Sequence, residues 1–317
     1  MKNNFVKNFV IALAFFVGTS VLPCFAIQQY DIAYKKALIK SSGHKEYKLK
    51  NMQSILGEKE LEIIIKEYND KPYKYWSDKK EFADEIGLAE LTYRAGLHSH
   101  TTASDGKATP VQALNQAAEY ADKVKQKFPD EKYPMIYAVT DHYNTEGCQQ
   151  VIDAIQKNPE KYKNVKVLLG METTALTEFP SDDEMGTRVH VLLWAIDPYS
   201  PQMTQMNFLT FDKLVKMAQN LDYGIVGLAH PLRYYEEKYK DSPEITKKLI
   251  TEYYDAYSKM KKDKFLFAEA YYQPYRFKMN PDLYDYVIKE SERCGFYKTG
   301  SQDSHGYTIF HNNDVKK

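Results

Sequence analysis

Cysteine is scarce in this chain, three among 317 residues, and a net charge is absent, with 43 Lys and Arg set against 43 Asp and Glu. So few cysteines exclude a disulfide-dense scaffold. A zero sum argues against a general polyanion binder, which carries a basic excess or stripe. There is no internal repeat, no low-complexity segment, no long Gly/Ser linker, and no G-x-S-x-G turn of the kind that presents a nucleophilic serine. With 43% hydrophobic and 14% aromatic residues, the chain does not have the composition of a disordered protein and can bury a substantial core.

Only one long apolar run is present, and it lies at the start. Lys2 and Lys7 precede Phe9 to Leu22, and Cys24-Phe25-Ala26 places small residues at a cleavage position. Residues 1–26 read as a secretory signal peptide, too short for a membrane span. Its removal leaves 41 basic against 43 acidic residues, a net charge of −2. The implied location is periplasmic or extracellular, with no stable membrane span after cleavage. Cys148 and Cys294 then remain, either to pair or to stay buried thiols.

Residues 27–88 form a polar, mostly helical N-terminal extension, as in SILGEKELEIIIKEY, where Leu61, Ile64, Ile65 and Tyr68 share a helix face. From 89 to 317 short apolar runs alternate with amphipathic stretches, the mark of βα units in one α/β domain with a parallel sheet. The runs are Leu91 to Leu97, Met135 to Thr140, Val165 to Met171, Val189 to Ala195, Gly224 to Ala229, Phe265 to Tyr272 and Phe296 to Gly300. Seven such runs predict a barrel. Thr109-Pro110 opens one intervening helix, with Val111, Leu114, Ala118, Ala121 and Val124 facing inward. Asn280-Pro281 opens another, which Gly295 ends.

Six of the eight histidines fall on these runs or just beyond them, together with carboxylates. His98, His100 and Asp105 follow the first, Asp141 and His142 end the second, and Glu172 ends the third. His190 begins the fourth, His230 ends the fifth, and Asp303 and His305 follow the seventh. In a parallel barrel the carboxyl ends of the strands share one face, so these residues converge. Imidazole and carboxylate are ligands for Zn, Mn or Fe. His98-Ser99-His100 and Asp303-Ser304-His305 each put two such groups on one side of an extended segment.

The segments LHSHTTASDGKATP (97–110), AVTDHYNTEGC (138–148), GMETTA (170–175), VHVLLWAID (189–197), GLAHPLRYY (227–235) and GSQDSHG (300–306) resemble, in order, the motifs of the polymerase and histidinol phosphatase (PHP) family. The resemblance is closest to its stand-alone phosphoesterases. It implies a distorted (β/α)7 barrel holding two or three divalent ions. His98, His100, Glu172 and Asp303 would hold the first ion, and Glu172 would bridge to a second held with His190 and His230. Asp105, His142 and His305 would hold the third. Two departures stand out: Tyr143 replaces the acid usual in Asp-His-Asp, and Gln302 is inserted before Asp303.

The implied reaction is hydrolysis of a phosphate ester by a metal-bridging hydroxide, with Glu172 and Asp303 in the catalytic machinery and Arg233 as phosphate clamp. Glu269 would support the site or meet substrate, and Arg276 is a more distant candidate. Tyr234, Tyr235, Tyr271, Tyr272 and Tyr275 would pack, or stack on a base or sugar. A small nucleotide or sugar phosphate is the implied substrate. The alternatives are an exonuclease, disfavoured because Lys259 to Lys264 is the nearest thing to a basic stretch, and a non-catalytic metal-binding interaction module.

Overall fold

A computed structural model describes residues 52–57, 59–63, 66, 95–127, 129, 135–176, 188–219, 225–231, 239, 241–258, 266–272, 281–301 and 303–306. The signal peptide and most of the extension lie outside these. So do Arg233, Tyr234, Tyr235, Tyr275, Arg276 and Gln302, and the side chains of Tyr271 and Tyr272. Among the described residues no helix is long and apolar enough to cross a membrane.

The chain is a mixed α/β fold whose sheet curls into a half-barrel. Its strands are β1 (Ala95–Gly96), β2 (Met135–Val139), β3 (Val165–Leu176), β4 (Arg188–Trp194), β5 (Leu209–Thr210), β6 (Ile225–Leu228), β7 (Leu266–Tyr272) and β8 (Tyr297–Ser301). Five α-helices are described: α1 (Pro110–Lys127), α2 (Glu146–Lys157), α3 (Phe211–Gln219), α4 (Pro243–Ser258) and α5 (Pro281–Arg293). The strand order is β1-β2-β3-β4-β6-β7-β8, with β5 pairing to β3 off this path. A parallel bridge between Ser99 and Ser304 joins the segments that follow the first and last strands.

The sheet is mixed rather than wholly parallel, and this corrects the sequence-based expectation. Pairs β1/β2, β2/β3, β6/β7 and β7/β8 are parallel, but β4 runs antiparallel to both β3 and β6. The reason lies in the connection. Only eleven residues separate β3 from β4, fewer than the dozen or more that a crossover between parallel strands needs. His190, near the start of β4, is thereby placed beside the ends of the parallel strands.

Local chemistry accounts for the helix ends. Thr109 Oγ1 accepts from the Gln112 N–H at 3.2 Å, while Gln112 Oε1 accepts from the Thr109 N–H at 2.9 Å. This reciprocal cap satisfies two otherwise orphaned donors. Leu114, Ala118 and Ala121 are buried as the spacing predicts, but Val111 is exposed. It sits in the first turn, and Ala113 and Ala117 take the inward face instead. Gly295, at φ 65°, ends α5, with the Phe296 N–H returning to the Ser291 carbonyl. A left-handed backbone at that position favours glycine.

Side chains from strands on both sides of the half-barrel fill one apolar core, including Leu97, Ile136, Leu168, Leu192, Trp194 and Phe267. Residues ahead of position 89 contribute too. β4 pairs β3 only from Gly170 onward, and the open edge before it is taken by Ser54 to Leu56, through hydrogen bonds with Val167 of 2.7 and 2.8 Å. Leu56 and Leu61 join the same core.

Trp194 and Phe267 stack with ring centroids 3.7 Å apart, and Gly227 lies against the Phe267 ring, where an added Cβ would overlap its carbon atoms. Gly227→Ala is therefore expected to destabilise the fold by about 1–3 kcal/mol through overpacking. Urea unfolding measures this, and an unchanged midpoint would contradict it.

Candidate metal centre

The side chains that converge do so because strand ends and alternation place them there. Glu172 lies in β3, and His142, just beyond β2, bridges to it in parallel register. Across the antiparallel pair, His190 stands opposite Thr174 and Leu192 opposite Glu172. His190 thus shares the Glu172 face of the sheet. The Ser99–Ser304 bridge brings His98 and His100 against Asp303 and His305.

All nine sequence-predicted ligand residues meet in one cluster; His230 joins it through Glu172, and the other eight form three overlapping donor groups able to hold a metal ion. These are His98, His100, Glu172 and Asp303, all buried; His142, Glu172 and His190; and His100, Asp105, His142 and His305. Glu172 is the hub. Its Oε2 lies 3.1 Å from His98 Nε2, 3.1 Å from His100 Nε2 and 3.2 Å from His142 Nδ1. Its Oε1 lies 2.9 Å from His190 Nδ1 and 3.1 Å from His230 Nε2. The two oxygens of one carboxylate therefore face two different sets of imidazoles.

The innermost group suits a cation. His98 Nε2 and His100 Nε2 face each other at 3.0 Å, and Asp303 Oδ1 lies 3.3 and 3.1 Å from them. Four tetrahedral donors about 2.0–2.1 Å from a zinc ion stand roughly 3.3–3.4 Å apart, close to these spacings. Two imidazole nitrogens at 3.0 Å need a proton or a cation between them. The outer group is more open. Asp105, with 56% of its side chain exposed, lies 3.2 Å from His305 Nε2 and 3.8 Å from His142 Nε2.

The electrostatics follow from burial set against the carboxylates. Burial would depress the His98 imidazole, but Glu269, Glu172 and Asp303 outweigh it and hold its pKa well above the usual value. His100 is likewise opposed by burial yet raised to about 9 by hydrogen bonds and charge from Asp303 and Glu172. Burial would raise Glu172 and Asp303, and the surrounding imidazoles hold both well below the usual carboxylate range. His142 and His230 are lowered, chiefly by burial, His142 to about 4. Without a cation, the buried carboxylates thus favour protons on the His98–His100 pair, whereas burial favours the neutral forms of His142 and His230.

A metal ion must displace those protons. Uptake at pH 7 is expected to release protons, and affinity to rise with pH until His100 deprotonates near 9. Calorimetry in buffers of different ionisation enthalpy measures this, and a buffer-independent heat would overturn it.

Backbone strain concentrates here. Tyr143, His230 and Asp303 have φ of 61°, 27° and 49°, a region that costs on the order of 1–3 kcal/mol for non-glycine residues. Tyr143, the departure from the usual acid, turns its hydroxyl to Thr174 Oγ1 at 2.9 Å and stacks between the rings of His142 and Phe208. Asp141 is turned away from the cluster, opposite to its neighbour His142. It accepts from the Thr101 N–H at 2.7 Å, from the Thr101 hydroxyl and from the Ser104 hydroxyl at 2.8 Å, holding the loop that carries Asp105. Sequence reasoning grouped Asp141 with the converging strand-end residues without giving it an ion; the structure turns it to Thr101 and Ser104 instead, as the alternation of adjacent residues requires once His142 faces the cluster. Cys148 is buried near the carbonyls of Val139 and Gly170, and no disulfide joins it to Cys294.

No protein-family profile matches the chain, and no curated protein matches it. Among solved structures, the chain is similar to one from Bifidobacterium adolescentis, itself provisionally assigned as a metal-dependent phosphoesterase. The identity is 14% and the TM-score 0.43, covering 69% of this chain and 91% of that one.

Proposed function

We propose that this protein is a metal-dependent phosphoesterase, an exported hydrolase with a distorted (β/α)7 barrel of the PHP type, acting on a small phosphorylated molecule such as a nucleotide or sugar phosphate. The observation that carries the proposal is Glu172, whose two oxygens divide five imidazoles between them. A carboxylate so placed is suited to bridging two cations, and the PHP-like order of the motifs supports the same ligand assignment.

His98, His100, Glu172 and Asp303 would hold the first ion, His190 and His230 would complete a second with Glu172, and Asp105, His142 and His305 a third. Zn, Mn and Fe all suit such a donor set. When bound, such ions supply an acidified water for in-line attack on phosphorus and neutralise the phosphoryl oxygens. The chain's own residues define the approach. Asp105, His142 and His305 line the more open side, so substrate enters past them, while the buried group of His98, His100 and Asp303 lies behind. Arg233 follows His230 by three positions and is assigned as the phosphate clamp, because guanidinium matches paired phosphate oxygens.

The experiment is elemental analysis of protein reconstituted with Mn, Zn or Fe, followed by a panel of phosphomonoesters, phosphodiesters and oligonucleotides, with His98→Ala as control. Monoester hydrolysis lost in the control supports the reading. Salt-dependent oligonucleotide cleavage would favour an exonuclease, and full metal loading without hydrolysis would leave a metal-binding module.

A further inference from the structure

Glu269 belongs to none of the three donor groups, yet it touches residues on both sides of Glu172. It is fully buried in β7, between Ala268 and Ala270, where an isolated carboxylate is costly unless hydrogen-bonded. Its oxygens lie 3.2 and 3.1 Å from His98 Nδ1, and its Oε2 also accepts from the His230 backbone N–H at 2.9 Å. The other nitrogen of His98, Nε2, faces His100, Glu172 and Asp303. A proton held at Nδ1 by Glu269 leaves the Nε2 lone pair available to a metal.

The second contact acts on backbone rather than on a ring. His230 has φ 27° and precedes proline, a strained conformation that its N–H bond to Glu269 helps to hold. In that conformation His230 Nε2 reaches Glu172 Oε1 at 3.1 Å. The His98 and His230 rings lie nearly parallel, 5.7 Å between centroids and 16° between planes.

We infer that Glu269 is a positioning residue that fixes the metal-binding tautomer of His98 and the backbone of His230 together, so that one carboxylate organises both sides of the Glu172 bridge. The inference rests on the metal-centre part of the proposed function and not on its phosphoester chemistry. Glutamine in this place has the right shape but only one acceptor oxygen. Its NH2 group then faces His98 Nδ1–H in the Oε1 place, or both His98 Nδ1–H and the His230 N–H in the Oε2 place, and the negative charge that holds the proton at Nδ1 is gone.

Zinc alone is the probe. Metal-free wild-type protein and Glu269→Gln are titrated with zinc against a chromophoric chelator. The variant is expected to bind about 10–100-fold more weakly, to regain full occupancy at correspondingly higher zinc, and to keep its far-ultraviolet circular dichroism. In the zinc-loaded wild type, proton NMR is expected to show a downfield exchangeable signal from His98 Nδ1–H, identified by its loss in His98→Gln. That signal moves upfield in Glu269→Gln.

Superimposable zinc titrations, or an unmoved downfield signal, overturn the inference. Glu269→Asp keeps the charge but withdraws the oxygens by one methylene, and is expected to weaken zinc similarly. Wild-type affinity in this variant overturns the inference equally, even where the glutamine variant fails to fold. If zinc affinity depends on Glu269 while the loaded wild type hydrolyses no phosphate ester, the phosphoesterase reading falls and the inference stands. If the wild type hydrolyses phosphate esters and the glutamine variant binds zinc as tightly, the reverse holds.

Discussion

Glu172→Gln is expected to lower phosphate-ester hydrolysis by at least about 10³-fold, on the order of 4 kcal/mol of transition-state stabilisation, and to lower metal content by at least one ion. The argument is geometric. Oε2 faces His98, His100 and His142, while Oε1 faces His190 and His230. An amide keeps one oxygen and puts an NH2 group in place of the other, so whichever way it turns, one set of imidazoles meets a donor where it had an acceptor. A cation on that side loses a ligand and gains a repelling N–H. Turnover at saturating metal, with elemental analysis of the same sample, measures both effects. Activity within tenfold of wild type at full occupancy would remove Glu172 from the bridging role.

Stripping the metal is expected to lower thermal stability as sharply as it lowers activity. The buried group sets Glu172 and Asp303 against imidazoles inside the fold, and buried charges are costly unless well compensated. A cation bound only by the folded chain, at a thousandfold excess over its dissociation constant, contributes about 4 kcal/mol. In a domain of this size that corresponds to roughly 10 °C in the melting temperature. Differential scanning calorimetry with and without chelator, followed by back-titration with zinc, gives the value. A melting temperature indifferent to chelator would mean that no ion is held in the buried group.

The strands were legible in the sequence because burial on both faces leaves continuous apolar runs, and each of the seven runs overlaps an observed strand. β5 was not, since two residues carry no periodicity. The direction of β4 was also hidden. Val189 to Ala195 reads the same whichever way it runs, and only the eleven-residue connection from Leu176 signalled reversal. At the site, His-x-His and Asp-x-His were readable through two-residue alternation, and most of the convergence followed from places at strand ends, whereas His190, near the start of its strand, joins only because β4 is antiparallel. What pattern could not supply was the sharing between them: that Glu172 splits its oxygens, or that Glu269 reaches both His98 and His230, depends on rotamers and register. The packing of Leu56 and Leu61 into the core was equally hidden, because an amphipathic stretch does not name its partner.

The parallel bridge between Ser99 and Ser304 has a consequence for the order of synthesis. The two donor groups that contain His100 draw their last member in chain order from Asp303 or His305, about two hundred positions after His98 and His100. A nascent chain that has not yet reached Asp303 lacks them. Its Ser99 has no Ser304 to pair with. Both groups therefore close only once the segment holding Asp303 and His305 has been made, and metal held tightly in them reports that the segments after the first and last described strands have come together.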